Sequence, residues 1–296
     1  MSEHLRISFV TRKWGPTVGG METYSQRLTA ELAKANQLSV IALRGKEDGQ
    51  PPSTLRLLLF PFRVLLDLFR QTPEPQIVHL GDMAIWPLGL FTRLCAPRAT
   101  IVISAHGTDV SYSRRGGLKG RLYGLYQRFG SSVFQSASII ANSKATAAAC
   151  RHLGWRNVEV VPLATDLHPP RSRNLDHQSI LFAGRIIRQK GLSWFVNEVL
   201  DQLPLQFHLQ VAGSVWDKTE ASALDHPRVE FLGTKSQHDL AELYANALCI
   251  VLPNLELPNG EFEGFGLVAC EGASAGGVVL AAKTGGLTDA VVDGRT

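Results

Sequence analysis

Short apolar runs recur along the chain, separated by longer stretches whose apolar positions fall three or four apart. That alternation predicts strands of parallel sheets flanked by helices. In the first half the runs predict strands near 5–10, 38–43, 77–80, 100–105, 138–141 and 158–161, with the clearest helices over 21–34 and 145–152. In the second half strands are expected near 179–183, 208–212, 229–231, 248–252 and 278–281, and helices near 192–202, 236–246 and 265–275. Pro169-Pro170-Arg171-Ser172-Arg173-Asn174 is polar and proline-punctuated, and it marks a linker. The reading is therefore α/β with two doubly wound domains: 1–168, a linker over 169–178, and 179–296.

Length and composition agree with two domains, since 296 residues at 45% hydrophobic content can fill two ordinary cores. No run of eighteen uncharged apolar residues is present, and Met1-Ser2-Glu3-His4-Leu5-Arg6 leads straight into the first strand. Neither a signal peptide nor a membrane span is expected, which points to a cytoplasmic protein. Cys95, Cys150, Cys249 and Cys270 lack paired or metal-ligand spacing, so buried thiols are expected rather than disulfides or a zinc site. Charge is uneven: residues 1–168 carry 20 Lys and Arg against 11 Asp and Glu, residues 169–296 carry 10 against 15. The basic half is suited to an anionic acceptor or membrane surface.

Ligands of doubly wound folds bind beyond the carboxyl ends of the strands. Glu263-Gly264-Phe265-Gly266 to Glu271 follows the apolar run 247–253 and sets two carboxylates eight positions apart around a glycine turn that opens a helix. Carboxylates accept from sugar hydroxyls, and amides of Gly264, Phe265 and Gly266 can meet a phosphate. Arg185 and Lys190, five apart in a loop after 179–183, could grip a diphosphate; the plain alternative is two solvated cations. Gly19-Gly20 precedes the helix over 21–34, where a simple turn is the rival reading. It is not the Gly-x-Gly-x-x-Gly of a nicotinamide fold. His106, in Ser104-Ala105-His106-Gly107-Thr108-Asp109, sits at a strand end as either a catalytic group or a structural hydrogen-bonder.

Two segments have a surface character. Residues 111–130 carry Arg114, Arg115, Lys119, Arg121 and Arg128 among tyrosines and Phe129, with no acid. At about 1 kcal/mol per cation near an anionic bilayer, they could hold the domain reversibly at the inner face of the plasma membrane. Residues 57–70 are apolar, with Arg63 and Arg70, and are expected to pack one face on the sheet. No nucleic-acid motif accompanies the charge.

Val18-Gly19-Gly20-Met21-Glu22, Ala105-His106-Gly107-Thr108-Asp109, Ala141-Asn142-Ser143-Lys144, Val161-Pro162-Leu163-Ala164-Thr165-Asp166, Ala183-Gly184-Arg185 to Lys190-Gly191, and the Glu263 to Glu271 segment occur in one order. In this the chain resembles the retaining glycosyltransferases of family 4. The resemblance implies a GT-B architecture, two Rossmann-like domains facing a cleft, the first holding the acceptor and the second a UDP- or GDP-linked sugar. By the same resemblance Arg185 and Lys190 bind donor phosphates, Glu271 takes the ribose hydroxyls, and Glu263 contacts the transferred sugar beside Gly264, Phe265 and Gly266. Gly19 and Gly20 line the phosphate and acceptor side, and His106 lies near the reacting carbon. It further implies transfer without a cofactor or metal, in polysaccharide or glycolipid synthesis. Two departures stand out. Val161-Pro162-Leu163-Ala164 has Leu-Ala where the family more often has Asn-Gly, and the sequence stops 25 residues after Glu271, an incomplete second domain by family standards. A non-catalytic remnant that docks on a membrane or partner enzyme, and a phosphorylase or epimerase of the same architecture, are the alternatives.

Overall fold

The computed structural model describes residues 4–16, 19–46 and 52–295; Thr17 and Val18 of the first glycine motif lie outside the described residues. The chain forms two compact units, Met1–Val161 and Pro162–Thr296. Residues 162–168, which the sequence grouped with the first half, pack with the second: Leu167 joins the core around Leu181 and Tyr244, and its carbonyl accepts from Ser274 Oγ at 2.5 Å.

In the first unit the elements run β1 (Arg6–Trp14), α1 (Gly20–Ala35), β2 (Gln37–Arg44), α2 (Thr54–Arg70), β3 (Ile77–Leu80), α3 (Gly89–Cys95), β4 (Thr100–Ala105), α4 (Thr108–Ser111), α5 (Gly117–Val133), β5 (Ser138–Ala141), α6 (Lys144–His152) and β6 (Val158–Val160). They make a six-stranded sheet of order β2-β1-β3-β4-β5-β6, each pairing parallel. A strand covered on both faces has no solvent side, and β1 accordingly buries Ile7, Ser8, Phe9, Val10 and Thr11 in succession. The step from β1 to β2 runs one way along the sheet, whereas the steps through α2, α3 and α5 run the other. Right-handed crossover then sets those three helices together on the face opposite α1. They are tied side by side: Cys95 Sγ of α3 lies 3.9 Å from the Leu65 carbonyl of α2, and Arg93 Nη2 of α3 donates to the Val133 carbonyl of α5 at 2.7 Å.

The second unit comprises β7 (Asp176–Ala183), α7 (Leu192–Glu198), β8 (His208–Ala212), α8 (Lys218–Ala221), β9 (Val229–Gly233), α9 (Gln237–Asn246), β10 (Ala247–Leu252), α10 (Leu267–Ser274), β11 (Val279–Ala281) and α11 (Leu287–Ala290). Its parallel sheet has the order β11-β10-β7-β8-β9. One face packs Ile180 and Phe182 against Leu192, Phe195 and Val196 of α7, the other packs Leu181 and Ile250 against Tyr244 of α9. All eleven expected strands are present, and bounds differ by a few residues. The helix expected over 192–202 ends at Glu198 and resumes as a 3-10 turn over Leu200–Gln202. Pro204 holds Leu203 extended, so no longer helix could pass there. Of the cysteines only Cys150 and Cys249 are fully buried; Cys95 and Cys270 are half-buried, and all four are free.

Candidate functional site

The residues expected on the donor side gather because two glycines let backbones touch. Beyond β7 the chain turns through Gly184, and Gly213 beyond β8 lies so close that a Cβ there would fall 1.8 Å from the Gly184 carbonyl. Ile186 N then donates to Ser214 O at 2.9 Å, and Trp216 N to Ile186 O at 3.1 Å. This pins the loop so that the Arg185 guanidinium sits over the Trp216 ring, 5.3 Å from its centroid. Arg185 is thereby an exposed cation with a restricted direction. Six residues on, Gly191 takes a left-handed φ of 72°, and a Cβ there would lie 2.1 Å from the Pro253 carbonyl. That approach brings Lys190 to the end of β10.

There Lys190 Nζ meets Glu263 Oε2 at 2.5 Å, with side-chain exposures of 12% and 16%. Asn254 Nδ2 donates to the same oxygen at 2.9 Å. Burial is the largest influence on the Glu263 carboxyl and would raise its pKa, but Lys190, Asn254 and the charge of Arg185 together outweigh it. The net direction is downward, so Glu263 is ionised at neutral pH. Both donors act on Oε2, which leaves Oε1 able to accept from a hydroxyl. Asn254 itself is 5% exposed, and its Oδ1 is buried without a hydrogen-bond partner among the described residues. An orphaned buried acceptor next to a carboxylate is a feature of a site that receives a polar ligand.

The Gly264–Gly266 turn is held by a second glycine pair that sequence reasoning did not single out. Gly286 N donates to Glu263 O at 2.7 Å, and a Cβ on Gly286 would lie 2.1 Å from Gly264 O. Gly266, at φ 88°, opens α10, whose buried face carries Glu271. Glu271 is only 5% exposed, and Tyr244 Oη donates to its Oε2 at 3.3 Å. Burial pushes Tyr244 well above its ordinary pKa and the Glu271 charge adds to this, so the phenol stays a donor. Arg185, Lys190, Glu263 and the 264–266 turn thus belong to one unit, with Glu271 on the helix that the turn starts. The partners Asn254, Trp216, Tyr244 and Gly286 carried no local motif: Tyr244 lies 27 residues from Glu271, and Asn254, 9 residues from Glu263, stands in a turn without a signature. Only the tertiary fold reveals them.

In the first unit His106 follows β4 at a turn where Gly107 has a φ of 96°. Its Nε2 lies 2.9 Å from the Gly81 carbonyl. A carbonyl can only accept, so Nε2 carries a proton; in the neutral imidazole Nδ1 is then an acceptor. The Tyr24 ring meets the imidazole edge-on at 4.7 Å, and Tyr24 Oη bonds Ser104 Oγ at 2.9 Å. Asp109 accepts from His106 N at 2.8 Å and Met83 N at 3.0 Å; burial drives its pKa up, partly countered by His106. Asp109 therefore staples the turn. Gly19 and Gly20 start α1, one turn before Tyr24, so these two expected residues lie in the neighbourhood of His106. Gly19 is extended at φ −175°, and a Cβ on Gly20 would meet nothing within 4 Å. Nothing in the described residues requires glycine at 20.

Among the described residues no group of three or more His, Cys, Asp and Glu could hold a metal ion, and no helix is long and apolar enough to cross a membrane. The family model "Glycosyltransferase Family 4" matches residues 18–168, about half of the chain, and "Glycosyl transferases group 1" matches 177–296. The chain belongs to glycosyltransferase family 4. It is similar to an uncharacterized glycosyltransferase of Methanocaldococcus jannaschii, 31% identical over 121 residues, 40% of this chain and 32% of that one. It is also similar to the GDP-mannose-dependent alpha-(1-6)-phosphatidylinositol monomannoside mannosyltransferase of Mycolicibacterium smegmatis, 24% identical over 331 residues, 97% of this chain and 83% of the other. The matches span about a third of the length of the first curated relatives. Among solved structures, the Anabaena HepE protein in complex with UDP and glucose aligns with a TM-score of 0.70 and 20% identity, covering 98% of this chain and 84% of that one. That likeness speaks for the fold, two parallel-sheet α/β domains of GT-B type.

Proposed function

We propose that the protein is a retaining, metal-independent glycosyltransferase. It moves a hexose from a UDP- or GDP-linked donor to a carbohydrate or lipid-linked acceptor in cell-surface polysaccharide or glycolipid synthesis. The observation that carries the reading is the ionised Glu263, held by Lys190 and Asn254 directly before the Gly264–Gly266 turn, in a family 4 chain. Arg185 and Lys190 stabilise the charge that grows on the departing diphosphate, the work a metal ion would otherwise do. Glu263 Oε1 and Asn254 Oδ1 read hydroxyls of the transferred sugar. Glu271 accepts from the ribose, oriented by Tyr244. Amides of the 264–266 turn sit beside the diphosphate. Gly19, Gly20 and His106 serve the acceptor side, with His106 offering Nδ1 as an acceptor. In the transfer the bond from the anomeric carbon to the phosphate oxygen breaks and one to the acceptor oxygen forms on the same face. The acceptor proton passes to the leaving phosphate.

Two of the similar proteins support the donor and acceptor classes: the Mycolicibacterium enzyme is GDP-mannose-dependent and named for a phosphatidylinositol monomannoside, and HepE is seen with UDP and glucose. A lipid-linked acceptor also suits a cytoplasmic enzyme that touches the inner membrane face through the cations of 111–130, without nucleic acid as a partner. Incubation with UDP- and GDP-hexoses and membrane extract, followed by proton NMR of the new anomeric centre, tests the reading. The expected product keeps the donor's configuration; an inverted product, or donor consumption with no new glycosidic bond, defeats it. Arg185→Gln removes an exposed cation from a pinned loop. It is expected to leave the melting temperature within about 2 °C of the parent while lowering turnover at least ~100-fold.

A further inference from the structure

The helix α2 has two apolar faces, and only one of them is used by the fold. Phe60, Val64 and Leu68 are buried against the first unit. On the opposite side Leu55, Leu58, Leu59, Phe62, Leu66 and Phe69 recur at three- and four-residue steps, which aligns them in one stripe, and they are 45 to 75% exposed. Packing one face on the sheet, as the sequence suggested, accounts for half of the helix's apolar character. Arg56, Arg63 and Arg70, at seven-residue steps, run along one flank of the stripe, with Arg63 paired to Asp67 at 3.3 Å.

The stripe continues onto its neighbours. Leu90 and Leu94 of α3, which packs beside α2, are 47% and 73% exposed. On α5, joined to α3 through Arg93, the residues Leu118, Leu122, Leu125 and Phe129 form a second stripe 55 to 73% exposed. Lys119, Arg121 and Arg128 accompany it. α2 and α3 lie against the sheet and α5 against the turns at 83–88 and 112–114, and each of the three helices leaves its apolar stripe exposed.

We propose that α2 is the element that inserts into the interfacial layer of an anionic phospholipid membrane, with α3 and α5 lying on the same surface. This deepens the peripheral reading of 111–130 given above, from electrostatic contact alone to shallow hydrophobic insertion. The occupant follows from charge. Apolar stripes flanked by Arg and Lys match a bilayer, whose acyl boundary takes Leu and Phe while the guanidinium and ammonium groups reach its phosphates. A second copy of the chain would instead set basic rows against basic rows. Exposed apolar surface of this extent is unusual on a monomer without such a use.

The test uses the full chain and sucrose-loaded vesicles of phosphatidylcholine, with and without phosphatidylglycerol. Binding to the anionic vesicles is expected. The variant Leu58→Ser/Phe62→Ser/Phe69→Ser changes only residues 65 to 75% exposed, so folding should survive, and vesicle partitioning is expected to fall about 100-fold even at low salt. The variant Lys119→Gln/Arg121→Gln/Arg128→Gln is expected to lose the salt-sensitive part of binding and keep a residual hydrophobic part. If the α2 variant binds like the parent while the α5 variant does not, insertion by α2 is wrong and the electrostatic reading stands. If neither vesicle binds the parent, both are wrong. Sedimentation velocity covers the remaining case: an α2 variant that turns a dimer into a monomer with unchanged vesicle binding would show that a second copy covers the stripe.

Discussion

Lys190→Ala is expected to abolish sugar transfer and to destabilise the second unit by roughly 3 kcal/mol, because it leaves a buried carboxylate without its cation. The residues concerned are 12% and 16% exposed, so solvent screens the pair weakly. The loss should depend on pH in a definite direction. Glu263 titrates below its ordinary value in the folded protein. Its contribution is therefore complete above the unfolded carboxyl pKa of about 4.3, and disappears as pH falls through that value toward the lower folded one. Urea denaturation of parent and variant should show the full difference at neutral pH and a shrinking one in acid. An unchanged difference at low pH would mean that the ion pair is not the source of the loss.

Gly191→Ala is the second large effect expected. The new Cβ would overlap the Pro253 carbonyl at 2.1 Å, and the residue would have to hold a φ of 72° that suits glycine. Left-handed strain adds roughly 1 kcal/mol and backbone displacement about 2 to 3 more, so the total should approach 4 kcal/mol. Relief comes only by moving the 188–190 turn away from β10, which separates Lys190 from Asn254 and Glu263. Calorimetric melting should thus fall by about 10 °C, together with donor affinity. A melting temperature within a degree or two of the parent would show that this contact is not tight.

Much of the fold was legible because parallel strands are buried on both faces, and runs such as 77–80 and 100–105 have no polar rival reading. Element ends were less legible: β1 extends to Trp14 through Thr11, Arg12 and Lys13, whose polarity masks the strand. The candidate site was legible where its chemistry is local, as for Glu263 and Glu271 around a glycine turn. It was not legible where a side chain acts across the fold. Nothing near Tyr244 in sequence announces that its phenol faces Glu271, and nothing in Gly285-Gly286 announces that this pair backs the 264–266 turn. The outward stripe of α2 was hidden for another reason. Periodicity reveals that a helix has an apolar face but cannot count how many of its faces find partners.

The proposed transfer requires the second unit to bind a nucleoside diphosphate through Arg185, Lys190, the 264–266 turn and Glu271. Isothermal titration calorimetry of the full chain with UDP and with GDP tests this most directly. Binding of at least one of them is expected, weakened at least ~10-fold in Arg185→Gln and in Glu271→Ala, a loss of about 1.4 kcal/mol or more each. Absence of heat with both nucleotides, or an affinity that neither substitution alters, would contradict it.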